Sequence, residues 1–233
     1  MSPQQSDEGS LAPLVVAIDG PAASGKGTLA RRIARAFDLA YLDTGLLYRA
    51  TAFLVLEAGA DPADPAAAEA AARGIEPRLF VEPGLRGEAV SQAASVVAAI
   101  PAVRQALLGF QRAFAQHPPA PAASGQPCLG AVLDGRDIGT VVCPEAAVKL
   151  FVTASPQERA RRRAEELRQG DAAAIYEDVL QDMKERDARN SGRREAPLAA
   201  APDALIIDTT AMDADQVFAQ AAERITRVLA ARH

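Results

Sequence analysis

Tryptophan is absent from this chain, and phenylalanine and tyrosine bring its aromatic content to only 4%. With 49% apolar residues, much of it alanine, a core has to come from aliphatic strands lying under alanine-rich helices. Cysteine is scarce too. Cys128 and Cys143 have neither metal-type spacing nor the number needed for a disulfide framework, so free thiols in a reducing compartment are expected. His117 and His233 each read as a lone surface histidine, which leaves no serine–histidine or cysteine–histidine dyad. No apolar run reaches the roughly 20 residues of a membrane-spanning helix. The opening MSPQQSDEGS is polar and lacks the apolar segment of a signal peptide. A soluble, cytoplasmic protein is the expectation. Positive charge is not in excess: the formal net charge is −5, which argues against nucleic acid or an anionic membrane as a partner. Any anion site must therefore be built from local clusters of arginine, and such clusters are present.

What the chain does have begins at Val15. Leu14-Val15-Val16-Ala17-Ile18 has the length and β-branched content of a buried strand. After it comes a loop of small residues, Gly20-Pro21-Ala22-Ala23-Ser24-Gly25, then Lys26-Gly27-Thr28 and an amphipathic helix with Leu29, Ile33 and Phe37 on one face. Gly20, four residues, Gly25 and Lys26 match the spacing of a P-loop. A polyphosphate needs many donors converging in a small space. Small residues let backbone N–H groups wrap close to it, the helix N-terminus adds its own, and Lys26 reaches the outer phosphates. Residues 20–28 are therefore the expected site for a nucleoside triphosphate such as ATP. The motif usually places Ser or Thr directly after the lysine as a magnesium ligand, and here that place is Gly27. The Gly-Lys-Gly-Thr variant occurs in nucleoside monophosphate kinases. Mg2+ would then be held mostly through water and phosphate oxygens.

Four more strands alternate with helices at Ala40–Asp43, Leu129–Asp134, Val148–Val152 and Ala204–Asp208, which predicts a five-stranded parallel sheet with helices on both faces. Residues 1–12 read as a disordered lead-in and 13–233 as one α/β domain. Within it, about 60–92 form an acceptor-binding insert, in which Arg78–Val81 reads as a strand of one hairpin. Ala89 to Ala115 reads as a long helical pattern interrupted at Pro101. The Pro-rich stretch 117–127 reads as a surface loop. Ser155-Pro156-Gln157-Glu158 reads as a capping box that starts a helix running to about Gln169. Ala174 to Arg189 reads as another helix, broken by Asn190-Ser191-Gly192, and Asp215 to Ala231 as the last. The two arginine-rich helices, about 156–195, read as a lid.

In such a sheet the active site lies off the carboxyl ends of the strands, where Asp19, Asp43, Asp134, Ser155 and Asp208 fall. Asp134-Gly135-Arg136-Asp137 follows a strand directly. Asp134 is placed there to hold magnesium or its water shell, Arg136 to fork onto a phosphate, and Asp137 to accept from an amino group. Arg49 and Arg104 lie on helices near the sheet's edge, while Arg159 to Arg163 and Arg186 to Arg194 crowd the lid. Phosphoryl transfer wants cations around the moving group and a closure that excludes water. It needs no protein nucleophile, because the acceptor's own oxygen attacks.

Taken together, IDGPAASGKGT, LDTGLLYR (42–49), AASVVAAIPAVRQALLGFQRAF (93–114), LDGRDIGTVV (133–142), KLFVTASPQERARRR (149–163) and KERDARNSGRREAPL (184–198) resemble the bacterial cytidylate kinases. DGRD-x-GTVV with the downstream KERD…APL is specific to that family; adenylate and shikimate kinases share only the phosphate loop. The resemblance implies transfer of the γ-phosphoryl of ATP to CMP or dCMP, with Mg2+, by a monomeric enzyme. It implies an acceptor site of Thr44, Arg49, Ser95, Arg104, Arg136, Asp137, Arg186, Asn190 and Arg193. Arg49, Arg136 and Arg186 would grip the acceptor phosphate, and Ser95, Arg104 and Asp137 would read cytosine. Arg159 and Arg163 resemble lid arginines, catalytic along with Lys26 and Asp134. The family usually has aspartate at the place of Asn190, near the sugar, and a larger insert before Ser95. The rival readings are a kinase for UMP, AMP or shikimate, a non-catalytic P-loop regulator, and a degenerate kinase serving as an interaction module. The Asn-Lys-x-Asp motif of GTPases is absent, which counts against a GTPase switch.

Overall fold

The computed structural model describes residues 12–120, 128–169, 174–193 and 195–232. The expectations for residues 1–11, for 121–127 of the Pro-rich loop, for the link at 170–173, for Arg194 and for His233 fall outside the described residues. The sheet is five-stranded and wholly parallel, in the order β2-β3-β1-β4-β5, with β1 at Leu14–Asp19, β2 at Ala40–Asp43, β3 at Gly130–Gly135, β4 at Val148–Thr153 and β5 at Leu205–Asp208. Each parallel step needs a crossover, and helices supply it: α1 (Lys26–Ala36), α2 (Thr44–Glu57), α3 (Pro65–Arg73), α4 (Glu88–Val97), α5 (Pro101–Gln116), α6 (Pro156–Gln169), α7 (Tyr176–Ser191) and α8 (Ala214–Ala230).

Alternation along β1 divides its side chains between two cores. Leu14, Val16 and Ile18 pack with Leu29 and Ile33 of α1 and Ile225 of α8, all nearly inaccessible to solvent. Ala17 faces the other way, with Ala131 and Leu133 of β3 and Ala115 of α5. A third cluster joins α2, α3, α4 and α5 through Leu47, Val55, Val90, Val97, Val103 and Leu107. A fourth joins α6 to α7 through Ala160, Ala164, Val179 and Met183, and Ala22 and Ala23 of the phosphate loop pack against it.

Several local expectations are corrected. Arg78–Val81 is not a strand. Two 3-10 turns, Pro77–Val81 and Pro83–Arg86, occupy this stretch and pack on the α2 side through Phe80 and Leu85, away from either sheet edge. Prolines at the start of both turns favour this over extension, since each fixes φ and offers no N–H to a ladder. The insert thus holds helices, turns and coil but no strand among its described residues. The 89–115 pattern is two helices that meet at 98° across Pro101, and Phe110 stays half exposed. Ser155 makes only one arm of the expected capping box: its Oγ accepts from the Glu158 N–H at 3.2 Å, while the Glu158 carboxylate turns to Arg161 and Arg162. The complete box is at α8, between Asp213 and Gln216. The helix expected to stop at Arg189 runs on to Ser191 and so includes Asn190. Among the described residues no single helix is long and apolar enough to cross a membrane; the bent pair α4–α5 meets the length and composition only when taken together.

Ile225 is fully buried between α8 and the sheet and far from the strand ends that carry Asp19 and Asp134. Ile225→Ala is expected to lower the free energy of unfolding by about 2–5 kcal/mol while leaving the KM for both substrates unchanged. Urea unfolding alongside steady-state kinetics measures both.

Candidate active site

β1 ends in Asp19, and the chain turns immediately at Gly20, whose φ of 151° lies where side chains rarely go. A Cβ there would also lie 2.0 Å from the Val152 carbonyl oxygen, so the loop can leave the sheet at this point only through glycine. Pro21 to Gly25 then wrap around to the N-terminus of α1. Lys26 opens that helix almost wholly buried, its Nζ donating to the Pro21 carbonyl at 3.2 Å. Burial, with Arg136 nearby, pushes the Lys26 ammonium down to about 7. Gly27 faces Asp134: a Cβ would sit 3.3 Å from Asp134 Oδ2, so a serine or threonine there would press that carboxylate back by a few tenths of an ångström.

Asp134 stands at the end of β3, in register with Ile18 of β1 and Asp43 of β2. The parallel register alone therefore brings Asp134 and Asp43 together beside the phosphate loop. Tyr41 donates its hydroxyl to Asp134 Oδ2 at 2.9 Å, and Thr44 donates to the Asp134 carbonyl at 2.7 Å. Burial raises Asp134 above the ordinary carboxylate value, against the pull of Lys26. Asp19 plays a part that the sequence did not suggest. Its two carboxylate oxygens accept the N–H groups of Ile138 and Gly139, each at 2.7 Å, and pin the turn that follows Asp137. Burial lifts Asp19 to about 6.

Two clefts open over these strand ends. Thr44, Arg49, Ser95, Arg104, Arg136, Asp137, Arg186, Asn190 and Arg193 all line the first, so the whole expected acceptor set converges. The continuation of α7 explains part of this. Arg186 and Asn190 lie one turn apart on the same face, and Arg193 follows just beyond the helix, donating to Asn190 Oδ1 at 2.6 Å. Arg104 pairs with Asp137 and also donates to the Tyr48 hydroxyl at 3.3 Å. The second cleft is lined by Ala22 to Thr28, with Asp134 and Arg163. Arg49, Arg136 and Arg186 line both clefts, so three guanidinium groups stand between the phosphate loop and the acceptor pocket. Burial depresses Arg136, and it lowers Arg186 to about 10 with Arg136, Arg163 and Arg189 adding to the effect. Arg49 is paired with Asp43, while Arg136 and Arg186 make no ion pair among the described residues, and a phosphate would supply them with an anion.

Arg159 is placed differently from the expectation. It is buried, and its guanidinium is taken up by the Ala154 carbonyl at 3.0 Å, the Ala22 carbonyl at 3.4 Å and Asp187 at 2.7 Å. It ties α6 to the phosphate loop and to α7 and does not line either cleft. Arg163, one turn on, does reach the cleft, where Glu88 at the start of α4 holds it at 2.7 Å. The sequence assigns no site role to Tyr41, Tyr48 or Glu88, and it places Arg189 only among the lid arginines. Their signal was weak, because tyrosines near a helix start usually read as core and a charge on a helix as solvated surface.

With this geometry in place, the chain compares clearly with known proteins. A family model described as cytidylate kinase matches residues 16–227. The chain belongs to the cytidylate kinase family. It is 58% identical to the cytidylate kinase of Rhodospirillum rubrum over 208 residues, covering 89% of this chain and 95% of that protein. The cytidylate kinase of Paramagnetospirillum magneticum is also 58% identical, over 207 residues covering 89% and 95%. That of Granulibacter bethesdensis is 54% identical over 214 residues, covering 92% and 97%.

The buried lysine has a consequence for stability. Its folded value of about 7 lies below its ordinary 10.5, so the charged form weakens the fold, and stability should rise as pH climbs from about 7 toward 10. Asp19, raised from 3.8 to about 6, acts in a different window: its contribution should grow as pH falls from 6 toward 4. Urea midpoints measured across pH should show the alkaline rise in the wild type and lose it in Lys26→Met. Saturating ATP should also flatten the rise, because phosphate oxygens favour the charged lysine.

Proposed function

We propose that the chain transfers the γ-phosphoryl group of ATP to CMP or dCMP, releasing ADP and CDP or dCDP. The observation that carries this reading is the row of Arg49, Arg136 and Arg186 shared by the phosphate-loop cleft and the acceptor cleft. A phosphoryl group passing between two nucleotides would travel along that row, and its equatorial charge would meet cations at each stage. Family membership supports the choice of substrates.

In this reading the backbone N–H groups of residues 20–28 and Lys26 hold the triphosphate. A groove beside the loop, bordered by Thr28, Arg32, Arg162 and Thr209, takes the donor's nucleoside. An oxygen of the acceptor phosphate attacks the γ-phosphorus in line, and no protein nucleophile takes part. Arg163 leaves Glu88 to join the transferring group as the α6–α7 lid closes, and closing keeps water from accepting the phosphoryl. Residues about 156–195 serve as this lid and about 60–92 as the acceptor-binding insert of one kinase domain. Asp134 is a single buried carboxylate whose Oδ2 already accepts from Tyr41. Among the described residues no cluster of three or more His, Cys, Asp or Glu side chains could cage a metal. That donor set fits Mg2+ held through water and phosphate oxygens, where the ion would neutralise phosphate charge.

Asp137, fixed by Arg104, accepts from the exocyclic amino group of cytosine. Uracil would present a carbonyl oxygen there, leaving a buried carboxylate against an acceptor. Asn190 Oδ1 is occupied by Arg193, so its amide N–H remains to donate to the sugar. The enzyme works as a monomer in the cytoplasm.

A coupled assay of ADP release with ATP and CMP, dCMP, UMP, AMP or shikimate tests this reading. CMP and dCMP should give turnover well above the no-acceptor control; CMP at the level of that control would sink it. Lys26→Ala should lower kcat by about 10²–10³-fold or more. Asp137→Ala should narrow the CMP-over-UMP preference, and an equal loss with both nucleotides would refute its base-reading role.

A further inference from the structure

Arg189 lies on α7, behind the acceptor pocket, and does not line it. Its Nε donates to Ser95 Oγ on α4 at 3.1 Å, and its Nη2 donates to Gln92 Oε1, one turn earlier on α4, at 3.3 Å. Ser95 is buried, and it does line the pocket. Serine in a helix often donates back to the carbonyl four residues earlier. Thr51 does this to Leu47 in α2, but Ser95 donates to no acceptor among the described residues. A hydroxyl carries one proton and two lone pairs. With the Arg189 N–H directed at one lone pair, the proton cannot point back toward α7. The open direction is into the pocket.

The polarity of that hydroxyl matters because the two pyrimidines differ at one ring position. Cytosine presents N3 as an acceptor, while uracil carries a proton there. A hydroxyl free to rotate serves both, donating to one and accepting from the other. A hydroxyl that accepts from a guanidinium behind it keeps a second lone pair but is polarised into a stronger donor, and this favours cytosine. We propose that Arg189 is a positioning residue for base selection: it sets Ser95 as a donor and so turns a tolerant group into a discriminating one. The inference rests on the reading of Ser95 as a base-contacting residue. It also gives the α7 half of the lid a second task, since the arm that helps close the cleft reaches across to α4 and sets the base reader. Gln92 keeps the guanidinium from swinging away.

The test is the ratio of kcat/KM for CMP to that for UMP in the wild type, Arg189→Ala, Arg189→Lys, Ser95→Ala and the Ser95→Ala/Arg189→Ala double variant. Arg189→Ala should lower the ratio by about tenfold, the scale of one hydrogen bond of discrimination, chiefly through better use of UMP. The KM for ATP and the melting temperature should barely move, which a general loosening of the lid would not allow. Arg189→Lys, which keeps one donor, should recover part of the ratio. In the Ser95→Ala background, removing Arg189 should change the ratio by less than about twofold, because the two residues act as one unit. A lowered ratio in Ser95→Ala with a wild-type ratio in Arg189→Ala, or an additive double variant, overturns the role of Arg189 alone. A wild-type ratio in Ser95→Ala overturns the base-reading role of Ser95, and this inference falls with it.

Discussion

The parallel register of β2, β3 and β1 is the constraint on which the site depends. It sets Asp43 beside Asp134 and Ile18 beside Asp134, so the strands end together and their next residues spill into one small volume. Into that volume come Lys26 from the phosphate loop, Arg49 from α2 and Arg136 from the turn after β3. Burying so many charges is unfavourable unless they are paired, and the two signs are interleaved here: Arg49 with Asp43, and Arg104 with Asp137. The downward shifts of Lys26, Arg136 and Arg186 mark where the pairing stays incomplete. These are the groups that a phosphate would satisfy.

Around that layer, two mobile-looking roles are anchored by opposite means. The α6–α7 pair is held to the phosphate loop by Arg159, buried and fully engaged, with an apolar seam that Ala22 and Ala23 join. Its outer arginines reach across to α4, with Arg163 on Glu88 and Arg189 held by both Ser95 and Gln92. A surface pair such as Arg163–Glu88 contributes little net energy, so a phosphate can replace Glu88 at small cost. One helix pair is thus rooted on the phosphate loop and reaches α4 through its arginine side chains. The 60–92 stretch carries α3, two 3-10 turns and the start of α4, and it packs on α2.

Much of this was legible from the chain. The strand–loop–lysine–helix pattern, five alternating apolar runs and the DGRD and KERD stretches each carry a local signal, since glycine spacing, alternation and charge following a strand are short-range features. Where reading failed, the reason was equally physical. Phe80 made Arg78–Val81 look like a strand, but no sheet edge lies within reach, and the flanking prolines settle it as turns. Arg159 and Arg163 are alike in sequence, one turn apart on an arginine-rich helix, and only their neighbours tell them apart.

The sequence by itself determined the phosphate loop and the parallel sheet, because backbone geometry and periodicity are written locally, while the set of residues that meet in the first cleft was readable only through the resemblance to a family. Only the tertiary structure decided how those residues are employed. Gly27 lies against the Asp134 carboxylate, Asp19 holds the Ile138–Gly139 backbone, and Arg189 donates to Ser95. Each of these is a contact between residues dozens of positions or more apart. A hydrogen bond depends on a few tenths of an ångström in three dimensions, and no spacing along the chain encodes that.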